Sequence, residues 1–254
     1  MLDGKHGAPK ELPMSRASSF ERATLDPFYH ELRTSLTLIQ TCTDLLMHAD
    51  QIGQADLRNF LQIIRRGGTR IDRLVRDYIL LAKGEYGVLS EEKVAQPTSV
   101  LPPLNLALLE VRAESNDRGV EIVSDLPETM PLVLANPDHL RLIIERLLSV
   151  ALRFVRNSGD AVVVQTRTMP DSVAVVFTVE GVPLTDEDLP RIFDRFFVPQ
   201  NLPLSREQHG LGLDLPVVKS LVELYGGKVA IERLAKGNVF AFTIPRAEPE
   251  TSRS

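Results

Sequence analysis

The sequence predicts an α+β multidomain protein: a helical hairpin that dimerises into a four-helix bundle, followed by a two-layer α/β sandwich. Two patterns and the gap between them carry this prediction. A heptad begins at Leu25, and a second helical period follows it. Residues 84–100 (GEYGVLSEEKVAQPTSV) have no period and contain Gly, Pro and Ser, which reads as a linker. Beyond residue 100, helical periods alternate with strand pairs joined by short turns, the pattern of a layered sandwich.

Taken in order, residues 1–15 are polar and proline-containing and read as a disordered tail. The first helix belongs to a hairpin domain over residues 16–84. Its a and d positions are Leu25, Phe28, Leu32, Ser35, Ile39, Cys42, Leu46 and Ala49, all apolar but one. A break at Ala49–Gly53 precedes a second helix patterned by Leu57, Phe60, Leu61, Ile64, Ile71, Leu74, Val75, Tyr78 and Leu81. Two helices alone leave an apolar face uncovered, and a second copy covers it in a four-helix bundle.

After the linker (85–100), residues 101–246 form the second domain. A helix from Leu104 to Ala113 stops near Gly119, and short strands follow at Val120–Asp125 and Leu132–Ala135. Asn136-Pro137-Asp138 starts a helix running through Leu140, Ile143, Leu147, Ala151 and Phe154, with Asn as cap and Pro in the first turn. Asn157-Ser158-Gly159-Asp160 is a turn. Ala161–Thr168 and Val173–Val179 form one hairpin; Lys228–Leu234 and Asn238–Ile244 form another. Glu187–Phe196 and Leu215–Tyr225 are predicted as helices. Residues 247–254 are a polar tail.

The chain has 254 residues, a net charge of −5 and 29 basic against 34 acidic residues, so no basic field points to nucleic acid. No apolar run approaches the about 18 residues of a membrane helix, and the start MLDGKHGAPKELP lacks the apolar core of a signal peptide. One cysteine, Cys42, excludes an internal disulfide framework, and the five histidines show no metal spacing. The expected setting is the cytoplasm, with no nucleic-acid or membrane partner.

His30 falls at heptad position f, facing solvent, beside Glu31, Arg33 and Thr34. For an arbitrary histidine this is an ordinary solvated helix face. The string His30-Glu31-Leu32-Arg33-Thr34-Ser35-Leu36 changes that reading, because it resembles the H-box of sensor histidine kinases, H-E-L-R-T-P-L, at six of seven positions. A neutral imidazole nitrogen is a good nucleophile near pH 7. The resemblance implies that His30 is the phosphoacceptor and that Glu31 holds the other ring nitrogen and offsets developing charge. It implies that Thr34, one turn on and on the same face, helps position water for dephosphorylating a response regulator. The usual proline is Ser35 here, while Pro27 lies upstream and starts or kinks the helix. Zinc binding by His30-Glu31 fails, since position 34 is Thr and not a second His.

Residues 101–246 resemble the Bergerat-type ATP-binding domain of the same family. Asn136–Ala151 parallels the N-box helix, Asp186–Phe197 parallels the F-box, and Gly210-Leu211-Gly212-Leu213 parallels the second glycine box. The resemblance implies ATP with Mg²⁺ as cofactor, but the contact positions depart from it. The family's N-L-L-x-N-A is Arg146-Leu147-Leu148-Ser149-Val150-Ala151, so the magnesium-holding asparagine matches Val150, which offers no oxygen. Arg153 matches a basic phosphate contact. The first glycine box, D-x-G-x-G, matches Val179-Glu180-Gly181-Val182-Pro183, so valine stands for the adenine-binding acid and proline for a glycine. A one-residue shift would bring Glu180 to the acid position. The second box is Gln208-His209-Gly210-Leu211-Gly212; Gly210 and Gly212 either approach an anion at the helix start or make a tight turn.

Losing one buried charge-assisted hydrogen bond costs about 1.5–3 kcal/mol, and a lost magnesium ligand weakens phosphoryl transfer further. Together they imply at least about hundredfold weaker nucleotide use. Three readings follow. The leading one is a phosphorelay protein whose His30 exchanges phosphate with a response-regulator receiver domain, its ATP site impaired. The others are an active ATP-dependent histidine kinase and a non-enzymatic pseudokinase scaffold that binds another kinase or a regulator.

Overall fold

The computed structural model describes residues 14–48, 52–91, 93–117, 119–156, 159–202 and 210–247. The tail before residue 14, the tail after 247, and the turn residues 49–51, 157 and 158 lie outside them, with the expectations placed there. The chain divides into two compact units, residues 1–73 and 74–254. No helix among the described residues is long and apolar enough to cross a membrane.

In the first unit, α1 (Met14–His48) pairs with the first part of α2 (Gln54–Glu85). The predicted seam is observed from Phe28 onward: Ser35 and Cys42 are buried and Phe28, Leu32, Ile39 and Leu46 half-buried, whereas Leu25, expected in it, is 46% exposed. Pro27 lies inside α1 and does not start it. Gly67 of α2 is buried, and a Cβ there would lie 2.8 Å from Ile39 Cγ1. The helices therefore cross closely where glycine faces the buried, small Ser35 and the stem of Ile39.

The second unit begins with the end of α2, where Leu74, Asp77 and Leu81 are buried. The stretch read as a linker is structured. It holds α3 (Val88–Glu91), with Leu89 buried, and β1 (Gln96–Thr98). β1 pairs antiparallel with β3 (Val133–Ala135) in a two-stranded ribbon, and Thr98 Oγ1 donates to the Ala135 carbonyl at 2.9 Å. α4 (Leu101–Asp117) leads to β2 (Glu121–Asp125). α5 (Pro137–Leu152) is capped as predicted: Asn136 Oδ1 accepts from the amides of Asp138 at 2.8 Å and His139 at 3.3 Å.

The main sheet has the order β2-β4-β5-β7-β6, from β4 (Ala161–Thr168), β5 (Ser172–Glu180), β6 (Lys228–Leu234) and β7 (Gly237–Pro245). β2 joins it parallel to β4; the other pairs are antiparallel. α5 and α6 (Asp214–Leu224) cover one face. Under them lie the fully buried Val162, Val164, Val175, Phe177, Val179, Phe240 and Ile244, facing Ile143, Ile144, Leu147, Val218 and Leu221. Phe154 packs on Phe240 with ring centroids 5.3 Å apart. His139 Nδ1 and Tyr225 Oη share a hydrogen bond of 2.7 Å, tying the start of α5 to the end of α6.

The predicted helix Glu187–Phe196 is corrected. Only a one-turn 3-10 helix, Leu189–Arg191, forms there. Consecutive i→i+3 bonds, Arg191 N to Asp188 O at 2.9 Å and Asp194 N to Arg191 O at 2.8 Å, replace the α-helical pattern. Pro190 supplies no amide, and Phe196 turns left-handed at φ 62°. The helix predicted through Phe154 ends at Leu152.

Candidate functional site

His30 is exposed on α1, as its heptad position predicts. Glu31, half-buried beside the seam, accepts a hydrogen bond from Arg70 Nη2 of α2 at 2.6 Å. Both side chains keep about a third of their surface in water (32% and 28%), so the pair contributes at most about 1 kcal/mol. Its larger effect is to fix where the Glu31 carboxylate sits. Thr34 Oγ1 donates to the His30 carbonyl at 2.9 Å. The three residues singled out from sequence thus occupy little more than one turn. Arg70, which holds the acid, carried no signal there: an arginine on an exposed helix is ordinary.

In the sandwich, the chain returns from the 3-10 turn to α6 through Gly210 and Gly212; Gln208 and His209 lie outside the described residues. A Cβ on Gly210 (φ 77°) would lie 2.5 Å from Arg153 Nη1, and one on Gly212 (φ 68°) 2.5 Å from the Phe196 carbonyl carbon. The Phe196 amide donates to the Gly212 carbonyl at 2.9 Å. Both glycines therefore serve close packing in this structure, Gly210 against the guanidinium of Arg153 and Gly212 against the 196–197 backbone.

Arg153 is itself engaged. Its Nη2 lies 2.7 Å from Asp214 Oδ2, at the first turn of α6. The other carboxylate oxygen of Asp214 lies 2.8 Å from Arg146 Nη1, and Arg146 Nη2 reaches Asp77 Oδ1 at 3.0 Å. The arginine side chains are 13% exposed and the aspartates 4%, so four charges are buried together in alternating sign. Buried charges persist only when paired and hydrogen-bonded, and here each meets an opposite one.

Beside this cluster is a cavity of about 30 Å³, lined among others by Val150, Arg153, Phe154, Ile192, Gly212 and Asp214. Val150 is buried there and Val179 is wholly buried in β5. Glu180 is exposed, and successive strand residues face opposite sides, so it lies on the other face of the sheet from Val179. Gly181 lies against the Phe154 carbonyl, and its amide donates to Lys236 O at 3.2 Å. The structure thus brings Arg153, Gly210 and Gly212 together, sets Gly181 against the backbone of Phe154, the residue after Arg153, and leaves Glu180 on the other face of the sheet. Buried Asn238 shapes the loop after Gly181: its Oδ1 accepts from Leu184 N and its Nδ2 donates to Val182 O, both at 2.8 Å.

Burial pushes the His139 imidazole below its ordinary 6.5, against the opposing pull of the Asp138 carboxylate. Burial likewise raises the Tyr225 hydroxyl, with the Asn136 backbone opposing. Neither residue lines the cavity described above.

Comparison with known proteins agrees with both halves of this architecture. Residues 29–87 match the family model of the His Kinase A (phospho-acceptor) domain. Residues 135–248 match that of the histidine kinase-, DNA gyrase B- and HSP90-like ATPase. The chain is 32% identical over 218 residues to the sensor histidine kinase CusS of Escherichia coli (strain K12), covering 85% of this chain and 44% of that one. It is 29% identical over 245 residues to the adaptive-response sensory kinase SasA of Prochlorococcus marinus (strain MIT 9313), covering 92% and 61%. The chain spans about half the length of these curated relatives. Among solved structures, the histidine kinase AdeS of Acinetobacter baumannii superposes with a TM-score of 0.66 at 17% identity, over 85% of this chain and 98% of that one. The phosphoacceptor hairpin and the ATPase-type sandwich are both present and in order, and the chain belongs to the two-component histidine kinase family, of which it carries the catalytic core.

Proposed function

We propose that the chain works in a His–Asp phosphorelay, with His30 exchanging phosphate with a response-regulator receiver aspartate and the sandwich closed to ATP. The contrast within the chain carries this reading. The His30 motif is exposed and nearly complete, whereas the nucleotide-contact positions hold Val150, Val179, Pro183 and a carboxylate-paired Arg153. These residues do not fit magnesium ATP. Val150 offers the cation no oxygen, and Val179 gives the adenine amine no acceptor.

In the exchange, a lone pair of neutral His30 attacks the phosphorus of an aspartyl phosphate. The N–P bond forms as the P–O bond to aspartate breaks, and the aspartate leaves as carboxylate. The ring then carries positive charge, which Glu31 offsets from the adjacent position. Thr34 helps orient water when the phosphate is hydrolysed instead. The exposed Leu36, Leu38, Leu45, Met47, Leu57 and Leu61 of the hairpin support a homodimer in which a second copy covers them. The receiver partner places this work in the cytoplasm.

The test uses receiver domains phosphorylated with acetyl phosphate. The reading expects label on His30, or faster phosphate loss from a receiver, and neither in His30→Ala. Absence of both with every receiver tried sinks it, and micromolar binding of magnesium ATP by calorimetry would favour an active kinase instead.

A further inference from the structure

The first turn of α6 carries an acid where two arginines converge. Asp214 is 3% exposed, yet both of its oxygens are satisfied, Oδ1 by Arg146 and Oδ2 by Arg153. Arg146 is shared with Asp77 at 3.0 Å, and Arg153 lies over Gly210 and lines the cavity beside Asp214. Two converging guanidiniums at the start of a helix are the parts of an anion site: fixed forks of donors and the positive end of the helix dipole. In this chain the anion is a side chain.

We propose that Asp214 is a built-in anion, a carboxylate that fills a phosphate site made by Arg146 and Arg153 and so keeps it shut. This deepens the reading above by naming what closes the sandwich. As it stands, the Asp214 carboxylate lies between the two guanidiniums, one oxygen on each. A phosphate entering it would have to displace a tethered carboxylate that pays no cost of association. Removing the carboxylate takes the negative charge from between the two guanidiniums and adds its volume to the adjoining cavity. The vacated position then selects a small tetrahedral oxyanion such as a phosphate group, for which paired guanidiniums are suited.

The experiment compares thermal unfolding of the full chain, of Asp214→Ala and of Asp214→Ser in millimolar sodium phosphate against sodium chloride of equal ionic strength. Asp214→Ser also vacates the carboxylate's place but keeps a small polar group at the helix start, so it serves if the alanine variant does not fold. The expected result is that wild type does not respond, both variants melt lower than wild type in chloride, and phosphate raises their melting temperatures toward it. By calorimetry, phosphate binds the variants at least about tenfold more tightly than wild type. Adding Arg153→Met to Asp214→Ser abolishes the gain. Equal phosphate response in all chains, or none in the variants, overturns the proposal while leaving the closed-site reading intact. Micromolar binding of magnesium ATP by wild type overturns both.

Discussion

Arg70 Nη2 stands 2.6 Å from Glu31 Oε2, so the acid next to the exposed His30 is held from the opposite helix of the hairpin. Arg70→Gln keeps a donor and removes the charge. The expected outcome is a several-fold slower phosphoryl exchange at His30, with hairpin stability changed by no more than about 1 kcal/mol. Single-turnover transfer from a phosphorylated receiver measures the first, and denaturant unfolding the second. Partial recovery in Arg70→Lys separates charge from shape; an unchanged rate in Arg70→Gln would mean that the pair only braces the helices.

The close crossing at Gly67 predicts a specific intolerance. Gly67→Leu places carbon where Ile39 Cγ1 already sits, 2.8 Å from the first added atom. Overpacking of this kind costs about 1–3 kcal/mol. A lowered denaturant midpoint is expected, and Ile39→Ala in the same chain should restore part of it. Additive losses in the double variant would show that the two residues do not compete for one space.

Arg146 bridges Asp214 and Asp77 at 2.8 and 3.0 Å. Arg146→Met removes one partner from each of two buried carboxylates, and breaking a buried pair from one side costs about 3–5 kcal/mol. Urea unfolding of the full chain measures this. Replacing Asp77 as well removes one of the two acids that lost this partner and should recover part of the loss.

His139 gives the fold a pH dependence of known sign. Its pKa is lower folded than the ordinary 6.5, so the unfolded chain binds the proton more readily. Its contribution is fully present above about 6.5 and is lost as the pH falls through that value. The urea midpoint of wild type should therefore drop more between pH 8 and pH 5.5 than that of His139→Gln. Parallel pH profiles would remove His139 from the explanation.

The parts legible in the sequence were those written locally. The seam residues Phe28, Leu32, Ile39 and Leu46 stand at heptad spacing. Asn136-Pro137-Asp138 announces its own helix start, and the β4–β5 hairpin is signalled by alternation on both sides of a turn. What escaped was assembled from afar. The segment 84–100 read as a linker because β1 has no partner nearby; its partner β3 lies about 37 residues on. Asp214 meets Arg146 and Arg153 across 68 and 61 positions, and an acid in a first helical turn is unremarkable by itself. The helical pattern of Glu187–Phe196 was overridden by Pro190 and by the left-handed Phe196. The candidate residues near His30 were visible because they form one contiguous string, whereas Arg70 was not, because nothing in α2 marks which of its arginines faces Glu31.

Pro27 has a mechanical consequence. Without an amide hydrogen it removes one rung of the α1 ladder, three residues ahead of His30. A rod lacking a rung flexes there before it flexes elsewhere. Any tilt or twist imposed on the preceding residues is thus concentrated within a turn of the imidazole, ahead of the stretch held by the close approach of Gly67 to Ser35 and Ile39.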